Sequence, residues 1–132
     1  MEETLIKYAI KAAENSYSPY SNFRVGAALL TENNKVYLGC NIENSAYGPS
    51  NCAERTAFFK AISDGEKKFK AIAIVGGMDG NFDTFCYPCG ICRQVMSEFC
   101  DKDFIIISGN KDLKYEKNTL GELLPHSFDL GE

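Results

Sequence analysis

The chain is expected to fold as an α/β domain whose mixed β-sheet, of about five strands, carries helices on its faces. Short apolar runs such as Ala71-Ile72-Ala73-Ile74-Val75 have strand length, while intervening segments repeat apolar residues at helical spacing. Two strand-helix-strand crossovers follow a hairpin, which demands parallel as well as antiparallel pairing. The 132 residues suit one domain, 1–132, large enough to bury roughly two thirds of its unfolded surface.

Glu3 to Asn15 places Leu5, Ile6, Ala9, Ile10 and Ala13 on one helical stripe. Ser18-Pro19-Tyr20-Ser21-Asn22 reads as an ordered loop leading into a strand over Phe23–Leu30. Thr31-Glu32-Asn33-Asn34 reads as a hairpin turn and Lys35–Cys40 as the return strand, continued by Asn41-Ile42-Glu43-Asn44. Alternation puts Asn41 and Glu43 on one side of that extension. A helix is expected from Cys52 to Ser63, stopped by Asp64-Gly65. A buried strand at Phe69–Val75, a glycine-rich loop at Gly76–Asn81 and a helix from near Cys89 to near Cys100 follow. Phe104–Ser108 reads as buried strand, Lys111–Asn118 as edge strand and Thr119–Pro125 as a short helix ended by proline. No repeat or linker interrupts the order.

With 45% hydrophobic and 24% charged residues, the composition is that of a globular domain rather than a disordered chain. The net charge of −4 argues against a nucleic-acid groove, which would concentrate lysine and arginine, and favours a small uncharged substrate. No run approaches the roughly 20 apolar residues of a membrane span. The start, Met1-Glu2-Glu3, is acidic where a secretory signal would be basic, so a cytoplasmic setting is expected. Thiols stay reduced there, and the six cysteines are better read as a metal site than as disulfides.

The chemistry concentrates in Cys52-Ala53-Glu54-Arg55 and Pro88-Cys89-Gly90-Ile91-Cys92. Cys89-x-x-Cys92 alone also suits a redox pair, half a structural zinc knuckle or small buried residues. Cys52 supplies a third thiolate, and three thiolates on Zn²⁺ leave one tetrahedral corner open, as in catalytic sites. Glu54 stands beside that corner as a group able to move protons to and from water. Cys52 and Cys89 each begin an expected helix, whose N-terminal partial charge favours thiolate. Three thiolates leave the centre negative, and Arg55 is placed to draw charge from them. Cys86 makes a second C-x-x-C with Cys89, but Cys100 is too poorly placed to complete an iron-sulfur set. Cys40, Cys86 and Cys100 are expected as small buried residues, and His126 as a surface residue without a role.

A C-x-E element followed by P-C-x-x-C is shared by zinc deaminases that act on nucleobases. The chain further resembles the small homotetrameric cytidine deaminases of pyrimidine salvage. The resemblance runs through S-x-Y-S-N-F-R-V-G-A-A (Ser18, Tyr20–Ala28), G-C-N-I-E-N-S-A-Y (Gly39–Tyr47), N-C-A-E-R-T-A (Asn51–Ala57), P-C-G-I-C-R-Q-V (Pro88–Val95) and L-G-E-L-L-P-H-S-F (Leu120–Phe128). It implies a three-layer cytidine-deaminase-like fold and one Zn²⁺ per subunit on Cys52, Cys89 and Cys92. It also implies Glu54 as proton shuttle for hydrolysis of cytidine and 2′-deoxycytidine to uridine and 2′-deoxyuridine with release of ammonia. Ala53 would bind base O2 through its N–H, the Tyr87 carbonyl would face the departing amine, and Phe23 would pack on the base. Asn41 and Glu43 would hold the ribose 3′-hydroxyl, and a neighbouring subunit would complete the pocket with Ala46, Tyr47 and Phe128. Taken singly, Phe23 also suits a core position, Asn41 a turn and Glu43 a surface charge. Cys86 falls outside the family's motif.

Within the same fold, a deaminase of an aminonucleoside antibiotic such as blasticidin S shares C-A-E and P-C-G-x-C-R-Q-V, and Asn41-Ile42-Glu43-Asn44 favours cytidine over it. A polynucleotide deaminase is disfavoured by the acidic balance. From other classes, a non-catalytic zinc-stabilised module and a redox protein using Cys89 and Cys92 remain as alternatives.

Overall fold

Leu5, Ile6, Ala9, Ala12 and Ala13 form the buried stripe of α1 (Glu2–Ala13), which opens the computed structural model; it describes residues 1–131. β1 (Phe23–Thr31) turns at Asn33-Asn34 into β2 (Val36–Cys40), with Asn34 at φ 68° in the left-handed region that asparagine tolerates. α2 (Ala53–Ser63), β3 (Phe69–Met78), α3 (Gly90–Phe99), β4 (Ile105–Gly109), β5 (Tyr115–Thr119) and α4 (Leu120–Leu123) follow.

The strands form a five-stranded sheet in the order β2-β1-β3-β4-β5. Only β3 and β4 pair in parallel, through the crossover that carries α3. The other crossover, carrying α2, leads from β2 past β1 to β3, which pairs antiparallel with β1.

Strand alternation divides the interior into two cores. Ala27, Leu29, Ile72, Ile74 and Ile106 meet α2, α3 and α4 on one face. Ala28, Leu30, Ala71, Ala73, Val75 and Ile107 meet α1 on the other. Two glycines let the helices approach the sheet. A Cβ on Gly26 would stand 1.9 Å from the Ala9 carbonyl oxygen of α1, and one on Gly39 would stand 2.3 Å from the Ala53 carbonyl oxygen of α2.

Three expectations need correction. Gly76 and Gly77 belong to β3, paired with Val25 and Arg24, and the turn comes later at Asp79-Gly80. Glycine stands there because the surroundings are crowded: a Cβ would lie 2.7 Å from Cys86 Sγ at Gly76 and 1.9 Å from the Asn81 carbonyl oxygen at Gly77. Lys111–Lys114 is a turn rather than strand. The Asn110 side chain accepts from the N–H groups of Asp112 and Lys114 at 3.0 and 3.1 Å, so pairing starts only at Tyr115. β2 stops at Cys40, and Ile42 beyond it forms isolated bridges to Tyr17 and Asn51.

Replacing Gly39 with alanine forces a methyl group into the α2 backbone and should cost about 1–3 kcal/mol of stability. Urea unfolding measures it; a midpoint equal to wild type would show that α2 does not sit this close.

Candidate metal centre

Cys52 and Cys89 are the N-cap residues of α2 and α3, each with extended backbone, so they stand just outside the helices. Cys92 lies in the first turn of α3, and its N–H points at Cys89 Sγ at 3.5 Å. The two helix starts converge: Cys52 Sγ lies 3.8 Å from Cys89 Sγ, and Cys89 Sγ lies 3.5 Å from Cys92 Sγ. All three sulfurs fall within 4.8 Å of one another. Zinc–sulfur bonds of about 2.3 Å at tetrahedral angles would set sulfurs about 3.8 Å apart, close to both of the separations at Cys89, so this donor set suits Zn²⁺. Cys40, Cys86 and Cys100 are free thiols outside the trio, and all three are half-buried rather than fully buried as expected.

Electrostatics favour charge at the cluster. The Cys52 thiol is held well below its ordinary range by a hydrogen bond from Cys92 and, against the cost of burial, by the Arg55 guanidinium. Arg55 Nη2 donates to Cys52 Sγ at 3.3 Å, the placement anticipated for it. Cys92 shifts upward because it keeps the shared proton. Glu54, one residue into α2, is only 4% exposed. Burial foremost, and the adjacent Cys52 charge, push its carboxyl up to about 7. A carboxyl near neutrality can both take and return a proton.

A cleft of about 580 Å³ opens over these residues, lined by Cys52, Ala53, Glu54, Arg55, Cys86, Tyr87 and Cys89 together with Asn41, Glu43 and Tyr47. Backbone pairing creates this juxtaposition. Ile42 and Asn51 exchange two hydrogen bonds of 2.8 and 2.9 Å, which lays the extension of β2 beside the start of α2. On its other side Tyr17 donates to the Asn41 carbonyl at 3.0 Å and accepts from the Glu43 N–H at 2.8 Å.

The polar side chains of the wall are already engaged. Asn41 Oδ1 accepts from the Val25 N–H at 3.0 Å and from the Ser16 hydroxyl, while Nδ2 donates to the Phe23 carbonyl at 2.7 Å. One Nδ2 hydrogen is left over. Glu43 accepts from the N–H groups of Tyr20 and Ser21 at 3.0 and 3.2 Å and from the Ser21 hydroxyl, whose bond foremost lowers its carboxyl below the usual range.

Other expected residues lie at the margin. Phe23 sits on the α2 side of the sheet, where its ring packs near Gly76, but Val25, two residues on, lines the cleft instead. Ala46 is exposed outside the cleft, and Tyr47 is 75% exposed with φ 63°. Phe128 is 69% exposed, with its carbonyl accepting from Gln94 Nε2 at 3.0 Å. His126 is exposed as anticipated. Sequence reasoning passed over Val25, Gly48, Ser50, Asn51 and Ile91, which also line the cleft. Val25 lies two residues from Phe23 and so on the same side of β1, whereas the loop residues carry no periodic signal.

The family model "Cytidine and deoxycytidylate deaminase zinc-binding region" matches residues 1–108. The cytidine deaminase of Sporosarcina psychrophila is 52% identical over 126 residues, covering 96% of this chain and 90% of the relative. That of Halalkalibacterium halodurans is 48% identical, covering 96% and 92%. The crystal structure of cytidine deaminase from Burkholderia pseudomallei superimposes with a TM-score of 0.89 at 44% identity, covering 97% of this chain and 99% of that one. The Mycobacterium tuberculosis cytidine deaminase structure gives 0.82 at 38% identity, covering 96% of each chain.

Alanine at Cys89 should abolish stoichiometric zinc binding, whereas alanine at Cys86 should retain one zinc per chain. Metal analysis of the reduced, purified variants measures this; zinc lost on changing Cys86 would place a fourth sulfur at the metal.

Proposed function

The chain belongs to the cytidine and deoxycytidylate deaminase family, and on that premise we propose that it hydrolyses cytidine and 2′-deoxycytidine to uridine and 2′-deoxyuridine with release of ammonia. The observation that carries this reading is the convergence of three sulfurs near the buried carboxyl of Glu54, at a cleft that Cys52, Cys89 and Glu54 line.

Cys52, Cys89 and Cys92 hold Zn²⁺, which when bound supplies a Lewis acid that makes water nucleophilic near neutral pH. Glu54 takes the proton of the water that attacks C4 and passes it to N3, then carries the proton of the new C4 hydroxyl to the amine, which departs as ammonia as the C4 carbonyl forms. Its burial suits this role, because a solvated carboxylate is too weak a base near pH 7. Arg55 offsets the charge of the thiolates. The Ala53 N–H donates to base O2 at the start of α2, and the Tyr87 carbonyl accepts from the leaving amine. Phe23 and its neighbour Val25 support the base from the sheet.

Asn41 and Glu43 bind the ribose 3′-hydroxyl. The engaged Oδ1 of Asn41 restricts it to donating through its remaining N–H, while Glu43 accepts. Ala46, Tyr47 and Phe128 complete the pocket of a neighbouring subunit in a homotetramer. The exposure of Tyr47 and Phe128 supports this, since large apolar side chains held at a surface mark contact sites. A role in pyrimidine salvage in the cytoplasm accords with a free nucleoside substrate. Among the described residues no helix is long and apolar enough to cross a membrane.

Loss of cytidine absorbance should be catalysed by the zinc-loaded protein and abolished by chelation. Glu54→Ala should keep its zinc and lose at least about 10²–10⁴ in kcat, the usual contribution of proton transfer. Turnover by that variant at the wild-type rate would remove Glu54 from its role, and preferential turnover of blasticidin S would replace the substrate.

A further inference from the structure

Arg93 holds both peptide groups that flank Cys89. Its backbone N–H donates to the Cys89 carbonyl at 3.0 Å, a helical bond independent of the side chain, and its side-chain Nε donates to the Pro88 carbonyl at 2.8 Å. Those two carbonyls fix the rotations about the Cys89 Cα, φ −70° and ψ 169°, and so the direction in which its Cβ and sulfur leave the backbone. A second guanidinium nitrogen, Nη1, donates to the Leu123 carbonyl of α4 at 2.8 Å.

The Cys89 side chain itself has little packing around it. Cys89 is exposed, as are Tyr87 before it and Gly90 after it, and a Cβ on Gly90 would meet nothing within 4 Å. The buried Pro88 ring anchors the chain just before Cys89 and the Cys92 N–H meets its sulfur at 3.5 Å, while the Arg93 side chain fixes the peptide that joins Pro88 to Cys89. By contrast Cys92 is buried against the core and needs no such help.

We propose that Arg93 is a positioning residue that sets Cys89 in its metal-capturing geometry before the ion arrives. A ligand already aimed loses less conformational freedom on binding, so the clamp contributes to metal affinity without touching the metal. Arginine suits the task because its planar fork serves the Pro88 and Leu123 carbonyls at once, bracing the cysteine loop against α4, whereas a lysine ammonium is a single point donor on a flexible stem. The inference rests on the assignment of zinc to Cys52, Cys89 and Cys92.

Zinc affinity measured by competition with a chromophoric chelator tests it, using wild type, Arg93→Lys, Arg93→Gln and Gln94→Ala. Gln94 ties α3 to the tail at Phe128 and not to the cysteine loop, so it controls for general loosening of α3. Both Arg93 variants should bind zinc about 10–100-fold more weakly, as changes beside metal ligands commonly do, with Gln94→Ala unchanged. Should Arg93→Gln not fold, Arg93→Lys, which keeps the charge and stem, decides alone. Wild-type affinity in the Arg93 variants overturns the inference, whatever their thermal stability, and so does equal weakening by Gln94→Ala. A wild type that binds no zinc overturns the metal assignment as well, which separates the two failures.

Discussion

Three thiols and a carboxyl crowd one end of this molecule, and the negative charge they carry when ionised is the constraint around which the rest is arranged. Like charges at this separation, partly withdrawn from water, repel strongly unless positive charge is close. The fold brings that positive charge from several sources. The N-termini of α2 and α3 end at the cluster, with Cys52 and Cys89 as their caps, and Arg55 reaches back from the first turn of α2 to Cys52. A divalent cation completes the balance, which is why a metal belongs here while a disulfide between two of the sulfurs would leave the third unprovided for.

For those helix ends to meet, the layers beneath must be placed closely. Gly39 lets α2 lie against β2, and the parallel pairing of β3 with β4 brings α3 across the same face. The extension of β2 is then caught between Tyr17 and Asn51, which sets Asn41 and Glu43 in the same cleft as Cys52 and Cys89. The cleft is thus built from backbone pairing more than from side-chain packing. Its polar side chains serve partly as ties, Asn41 to β1 and Glu43 to the Tyr20-Ser21 loop.

Much of this was legible in the residues. The periodicity of α1 follows from burial on a single face and the continuous apolar run of β1 from burial on both, and the N-terminal placement of Cys52 and Cys89 follows from where the apolar rhythm of each helix begins. What escaped depends on tertiary pairing. Gly76 and Gly77 read as a loop because glycine is rare in strands, yet β1 pairs with them and the bulk of Cys86 and Asn81 excludes a side chain. Lys111–Lys114 read as strand because Leu113 and Tyr115 alternate, but the Asn110 side chain closes a turn there first. Val25, Asn51 and Arg93 gave no signal of their own, because each acts through neighbours that are distant in the chain or through main-chain atoms.

The sulfurs of Cys52 and Cys89 belong to residues 37 positions apart, and β3, the middle strand of the sheet, lies between them. An ion shared by both is in polymer terms a reversible cross-link that ties off a loop containing that strand. Free zinc concentration then enters the folding equilibrium by mass action, and supply of the trace element becomes a determinant of how long the polypeptide survives as well as of how fast it works.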